Sequence, residues 1–223
     1  MNDVNNDVIP TGPVIGVFGG TFNPPHIGHM TFAVNFTRSL HLDLLLMVPN
    51  RVPPHKSIAC DVAPEQRLKM LELALEDTRG QFGAETDVQI STIELQRDGA
   101  SFMCDTIERL RQIYNPSKCY LLLGDDMFMT LESWRDPARL LSMCSIAAVL
   151  RSHSEIDTEH IFIQGEYLHK KYSTEIIFPN IYTVEISSTY IRDRIKNNAL
   201  DDIKPFLTPG VYGYILQNPG LYR

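Results

Sequence analysis

Basic residues are in short supply: the 223-residue chain carries 20 lysines and arginines against 27 aspartates and glutamates, a formal charge of −7 at pH 7. This balance argues against a surface built to neutralise the many phosphates of a nucleic acid, yet it leaves room for a local cationic pocket and a small anionic ligand. Cysteine is also sparse. Cys60, Cys104, Cys119 and Cys144 stand far apart, with no CxxC and no paired His/Cys metal spacing. They read as reduced, mostly buried thiols of a cytoplasmic chain rather than as metal ligands. No apolar run approaches the roughly 18 residues of a membrane span. The opening MNDVNNDVIPTGP is polar and acidic, unlike a signal peptide. Cytoplasm is the expected location, no membrane or nucleic-acid partner is expected, and residues 1–12 are expected to be flexible. There is one tryptophan, no internal repeat and no low-complexity tract.

What is present is a succession of short apolar runs alternating with helical patterns, the arrangement of a parallel sheet covered by helices. VIGVF (14–18), DLLLMVP (43–49), VQISTIEL (88–95), CYLLLG (119–124) and SIAAVLR (145–151) read as strands. The second, fourth and fifth are apolar nearly throughout, as strands buried on both faces are. Between them, 64–75 carries Leu68, Leu71 and Leu75 with Glu65 and Glu72 interspersed, an amphipathic helix. A second helix is predicted over 105–113, capped by its acidic first residue. The expectation is one α/β domain over 1–223, a doubly wound, mainly parallel sheet with helices on both faces. Residues 152–182, polar and irregular, are expected to form a surface insertion, and 186–223 a helical C-terminal part.

GGTFNPPHIGHM (19–30) places two glycines, two prolines and two histidines directly after the first strand. The pattern predicts a turn at Gly19 and Gly20 and a helix from Ile27 or Gly28 toward Leu40. Glycines let a backbone approach a phosphate, and a helix start favours negative charge. His26 and His29 lie three apart on one side of that start; protonated, they would add positive charge where a transition state gains negative charge. A structural HxxH and a metal pair remain open beside this phosphate site. Near the other end, EISSTYIRDRI (185–195) sets Ser187, Ser188 and Thr189 ahead of a helix with Ile191 and Ile195 on its apolar face. Its plain meaning is an N-cap. The other is a second anion site, with hydroxyls, helix N–H groups and Arg192 holding the far phosphates of a triphosphate.

Taken together, GTFNPPHIGH and ISSTYIR resemble the nucleotidyltransferase superfamily, with its HxGH signature on the first strand-to-helix turn and an ISSTxxR-like signature near the C-terminus. The likeness is nearest to the bacterial nicotinate-nucleotide adenylyltransferases. VPNRVPPHK (48–56), EQRLKML (65–71), ELQRDGASFMCDT (94–106), GDDMFMTLESW (124–134) and PGVYGYI (209–215) have counterparts there in the same order. The resemblance implies a Rossmann-like fold and adenylyl transfer from ATP to nicotinate mononucleotide. It implies His26, His29 and Arg192 as catalytic, and Gly19, Gly20, Thr21, Phe22, Gly124, Asp126, Ser187 and Ser188 with them around ATP. It further implies Asn50, His55, Lys56, Trp134, Arg135 and Arg151 around the mononucleotide, Trp134 stacking on the pyridine ring. Mg²⁺ would ride on the ATP phosphates, with no dedicated metal cage in the chain. The sequence specifies no oligomeric state.

Three positions depart from the family pattern. Met103 stands where the family has a hydroxyl residue at the nicotinate end, Arg151-Ser152-His153 replaces Arg-Pro-Gly, and Asp125 adds a charge. Beside adenylyl transfer to nicotinate mononucleotide stand transfer to nicotinamide mononucleotide or another phosphate acceptor, a nucleotide-binding regulator without turnover, and a metal-dependent phosphohydrolase using the histidines as ligands.

Overall fold

The structure is a computed structural model and describes residues 11–51, 62–150 and 155–222, the side chains of 155–157 excepted. Strands β1 (Val14–Gly20), β2 (Leu44–Pro49), β3 (Asp87–Ile90), β4 (Lys118–Gly124), β5 (Ser145–Val149) and β6 (Ile176–Ile177) form one sheet in the order β3-β2-β1-β4-β5-β6. Every pairing is parallel. This is the doubly wound order expected of a Rossmann-like sheet, and its switch point lies between β1 and β4.

The period-2 alternation of the strands divides the interior into two cores. Phe18, Leu45, Met47, Leu122 and Ala147 point toward α1 (Ile27–Ser39) and α2 (Pro64–Thr78), where they meet Phe32, Phe36, Met70 and Leu71. Ile15, Val17, Leu46, Leu121 and Ile146 point the other way, onto Ile107 and Leu110 of α3 (Met103–Tyr114) and Leu140 and Leu141 of α5 (Pro137–Met143). β2 is buried at all six positions. Full burial of a side chain such as Leu45 or Phe36 contributes about 1.5–3 kcal/mol, so a polar residue in these runs would be costly on either face.

Four local expectations change. Gly19 and Gly20 are not a turn; they complete β1, paired with Val48 and Pro49, and the chain turns at Thr21 and Phe22, where Phe22 has φ 50. β3 stops at Ile90: the Ser91 N–H donates to Met47 O at 2.9 Å, the end of the ladder. Beyond it the chain turns inward to bury Glu94. α3 starts at Met103 after Phe102 as N-cap, with Asp105 in its first turn beside Arg139 rather than capping it. The segment 152–182 is not an irregular insertion. It supplies α6 (Glu155–Tyr172) and β6, which pairs Ile176 with Ile146 and Ile177 with Ala147. Among the α6 residues whose side chains are described, Ile161, Gly165 and Leu168, at i, i+4 and i+7, are the buried ones, a stripe too narrow to stand out among its charges. α4 (Asp125–Met129) follows β4 directly, and α7 (Ser188–Lys196), α8 (Leu200–Ile203) and α9 (Pro209–Gln217) make the C-terminal part helical. Among the described residues no helix is long and apolar enough to cross a membrane.

Cys104, Cys119 and Cys144 are free and buried, and burial pushes the Cys119 thiol up to about 12. Cys60 lies outside the described residues. Glu94 is 3% exposed and accepts the Thr106 hydroxyl at 2.7 Å, tying the segment after β3 to α3. Burial raises its carboxyl above the ordinary glutamate range, against the lowering effect of Thr106. A raised folded value favours the protonated native state, so this stability is present below the ordinary range near ~4.3 and is lost as pH rises through the folded value. Glu94→Gln keeps an acceptor for Thr106 without a charge. Its melting temperature at pH 7 is expected to exceed that of the unmodified protein by about 2–4 °C, the gap closing as pH falls toward 4; a gap independent of pH would contradict this account.

Candidate active site

Ligands of doubly wound sheets sit outside the carboxyl ends of the strands at the switch point, here beyond Gly20 of β1 and Gly124 of β4. The turn 21–26 joins β1 to α1, and its last residue, His26, is the N-cap of α1. The His29 N–H donates to His26 Nδ1 at 3.3 Å and the His26 N–H donates to His29 Nδ1 at 3.2 Å, a reciprocal capping box made of two imidazoles. The rings stack with centroids 3.7 Å apart and 28° between planes. An N–H donated into Nδ1 requires a lone pair there, so each ring in this arrangement is neutral with its proton on Nε2. In this arrangement the ring protons of the pair lie on Nε2. His26 is buried and His29 half-buried, its ring edge-on to Phe22 at 5.2 Å.

Gly28 between them is needed for a close approach. A Cβ there would lie 2.9 Å from both Val184 O and Ile186 Cγ2, so only glycine admits the segment that leads into α7. That segment delivers the second motif. Ser187 caps α7, its Oγ accepting the Tyr190 N–H at 3.1 Å. Ser188 Oγ donates to Pro24 O at 2.9 Å, and Arg192 donates from Nη1 to Asn23 O at 2.8 Å and from Nη2 to Thr189 Oγ1 at 3.0 Å. The cap belongs to Ser187, while the adjacent Ser188 turns to the backbone of the histidine turn. Ser188 and Arg192, expected on phosphates, hold the carbonyls of the histidine turn and so draw the starts of α1 and α7 together.

The remaining expected residues are placed as follows. Gly124 ends β4 and is the N-cap of α4; Asp126 is exposed in the first turn of that helix, and the Asp125 carboxylate accepts the Asp126 N–H at 2.9 Å. Asn50 follows β2: its N–H donates to Gly20 O at 3.0 Å and its Nδ2 to Thr21 Oγ1 at 3.3 Å, linking the two strand ends. Trp134 is half-buried against the α3/α5 core, with Nε1–H on Thr130 Oγ1 at 3.3 Å. Its backbone N–H donates to Leu131 O at 3.2 Å. Arg135 is exposed with its guanidinium 5.0 Å over the Phe102 ring, and the next residue, Met103, lies against Gly19, where a Cβ would meet its Cε at 2.5 Å. His55, Lys56 and Arg151 lie outside the described residues. Among those described, no group of three or more His, Cys, Asp or Glu side chains gathers as a metal site.

Arg67 went unassigned from sequence. It is 0% exposed and donates to Thr21 O at 2.7 Å, Asn50 O at 2.7 Å and Arg51 O at 3.1 Å, clamping the segments after β1 and β2. A signal existed: a charge at 67 falls in register with buried Met70, Leu71 and Ala74, the inward face of α2.

The arrangement, two helix starts and two Nε2–H donors at the switch point of a parallel sheet, is that of a nucleotide-binding transferase. A family model described as cytidylyltransferase-like matches residues 17–194. Relatives described as probable nicotinate-nucleotide adenylyltransferases, from Bacillus licheniformis and Clostridium acetobutylicum, are 33% identical over 205 and 190 residues, which is 92% and 85% of this chain and 96% and 90% of theirs. The Plasmodium falciparum nicotinic acid mononucleotide adenylyltransferase shares the fold: complexed with APC it aligns at TM-score 0.74 and 18% identity over 95% of this chain and 98% of that one, and complexed with NaAD at 0.73 and 19% over 94% and 98%. The chain belongs to the cytidylyltransferase-like family and, within it, to the nicotinate-nucleotide adenylyltransferases.

Two substitutions separate capping from chemistry at His26. Asparagine can still accept the His29 N–H; alanine cannot, which costs about 1 kcal/mol of helix stability. Both remove Nε2–H. His26→Asn is expected to melt close to the unmodified protein while losing as much kcat as His26→Ala; recovery of kcat in the asparagine variant would reduce His26 to a cap.

Proposed function

We propose that this chain transfers the adenylyl group of ATP to nicotinate mononucleotide, releasing pyrophosphate and forming nicotinate adenine dinucleotide, as a cytoplasmic step of NAD synthesis. The observation that carries this reading is the convergence of His26 and His29 at the start of α1 with Ser188 and Arg192 at the start of α7, in a chain whose relatives bear that enzyme's name. The mononucleotide phosphate attacks the α-phosphorus in line; a new P–O bond forms as the bond to the β-phosphate bridging oxygen breaks, and the electron pair leaves with pyrophosphate. The nucleophile is already anionic at neutral pH, so no covalent intermediate is needed and the protein's task is alignment and charge stabilisation.

In this reading the His26 and His29 Nε2–H groups donate to phosphate oxygens whose charge grows in the transition state. Gly19, Gly20, Thr21 and Phe22 line the ATP side with Gly124, Asp126, Ser187, Ser188 and Arg192. Asn50, Trp134 and Arg135 line the mononucleotide side, and the same binding role is assigned to His55, Lys56 and Arg151 on the family resemblance alone. Mg²⁺ arrives with ATP, since magnesium is commonly held by substrate phosphates with few protein ligands.

Transfer to nicotinamide mononucleotide is the second reading, favoured by two observations. Met103 occupies the face of Gly19 where a hydroxyl residue was expected, and the Trp134 N–H is engaged by Leu131 O. Pyrophosphate release measured with nicotinate mononucleotide, nicotinamide mononucleotide and phosphopantetheine decides among acceptors. The highest kcat/KM is expected for nicotinate mononucleotide, and Met103→Thr should widen the preference without altering ATP kinetics; equal kcat/KM for both pyridine mononucleotides would overturn the nicotinate assignment. Absence of turnover with every acceptor would leave a nucleotide-binding regulator. His29→Ala is expected to lower kcat on the order of 10²-fold, with a smaller effect on ATP binding; an unchanged kcat would remove His29 from the chemistry.

A further inference from the structure

The turn 21–26 is an unfavourable piece of backbone held by distant side chains. Phe22 sits at φ 50, a region disfavoured for a bulky residue, and such conformations persist only where the surroundings over-determine them. Arg67 fixes the Thr21 carbonyl, Arg192 the Asn23 carbonyl and Ser188 the Pro24 carbonyl. A further hold comes from a residue outside every motif: Tyr222, beyond α9, is 3% exposed, and its hydroxyl lies 2.9 Å from Asn23 Oδ1 and 3.8 Å from Met70 Sδ. A hydroxyl has one proton, and the shorter contact to the amide oxygen takes it. Asn23, itself 3% exposed, is therefore held both through its backbone by α7 and through its side chain by Tyr222.

The tyrosine ring packs in the core beside Leu221 and Met70, a task phenylalanine performs equally well; the hydroxyl serves the contact to Asn23. Three residues after Asn23 stands His26, whose orientation depends on the path of the turn. We propose that Tyr222 is a positioning residue for adenylyl transfer, acting through Asn23 on the turn that delivers His26. The proposal rests on the function given above. Positioning of a group used in the transition state changes kcat more than mononucleotide binding, which separates this role from general stabilisation.

The test is Tyr222→Phe, Asn23→Ala and the double variant, each assayed for kcat and KM and followed by the His26 imidazole and amide signals in NMR spectra well below the melting temperature. Tyr222→Phe is expected to lower kcat roughly five- to tenfold, the worth of one neutral hydrogen bond, with KM for nicotinate mononucleotide unchanged and the His26 signals shifted. The double variant is expected to lose no more kcat than Asn23→Ala alone, as coupled residues do. An unchanged kcat and unshifted His26 signals in Tyr222→Phe, even with a lower melting temperature, would make the tyrosine merely structural, and multiplying losses in the double variant would show that it does not act through Asn23. If the unmodified protein turned over no acceptor, the functional reading would fail by itself; unshifted His26 signals in Tyr222→Phe would then still refute the coupling.

Discussion

A buried guanidinium sets the geometry on which the rest depends. Arg67 lies between the segments that leave β1 and β2, and its donors reach carbonyls on both. An arginine side chain offers five N–H groups in a rigid fork, and a charge taken out of water is tolerated only where such donors find acceptors. The carbonyls of Thr21, Asn50 and Arg51 are those acceptors, and the demand runs both ways: peptide groups beyond the ends of two parallel strands have lost their ladder and need donors as well. One side chain thus fixes the spacing between the segment that follows β1 and the segment that follows β2.

The sheet makes this possible because it is covered on both faces. Core residues on α1 and α2 support one side and those on α3 and α5 the other, leaving the carboxyl ends of β1 and β4 as the open edge where polar groups can face a ligand. The segments there are secured by remote elements: α7 supplies Ser188 and Arg192, and the residues after α9 supply Tyr222. Contacts spanning 164 to 199 positions mean that the turn acquires its shape only when the C-terminal helices are docked.

The parts that were legible in sequence are those governed by local periodicity. β2, β4 and β5 are apolar runs buried on both faces, and their pattern required nothing beyond themselves; α1 announced itself through the glycine- and proline-rich stretch before it, and α7 through the cap cluster Ser187, Ser188 and Thr189. α6 and β6 were hidden because Ile161, Gly165 and Leu168 are a thin stripe and Ile176–Ile177 is a two-residue edge strand. Within the site, the residue types at 26, 29, 188 and 192 were legible and their partners were not. Whether Ser188 meets a phosphate or the Pro24 carbonyl depends on where α7 docks, and nothing in ISSTYIR encodes that. Arg67 and Tyr222 escaped for the same reason, since both act on peptide groups or amides contributed by segments far away in the chain.

The reciprocal capping of His26 and His29 ties local helix stability to readiness for chemistry. The two amides, one accepted by each ring, are protected from solvent exchange only while the first turn of α1 is formed, and fraying of that turn frees both Nδ1 atoms, after which neither the tautomer nor the ring orientation is specified. Fraying and loss of the donor pair are then one equilibrium. The protection factors of those two amides report the fraction of molecules whose ring pair is intact, and under the proposed function that fraction is a ceiling on the active population even when the rest of the fold is unperturbed.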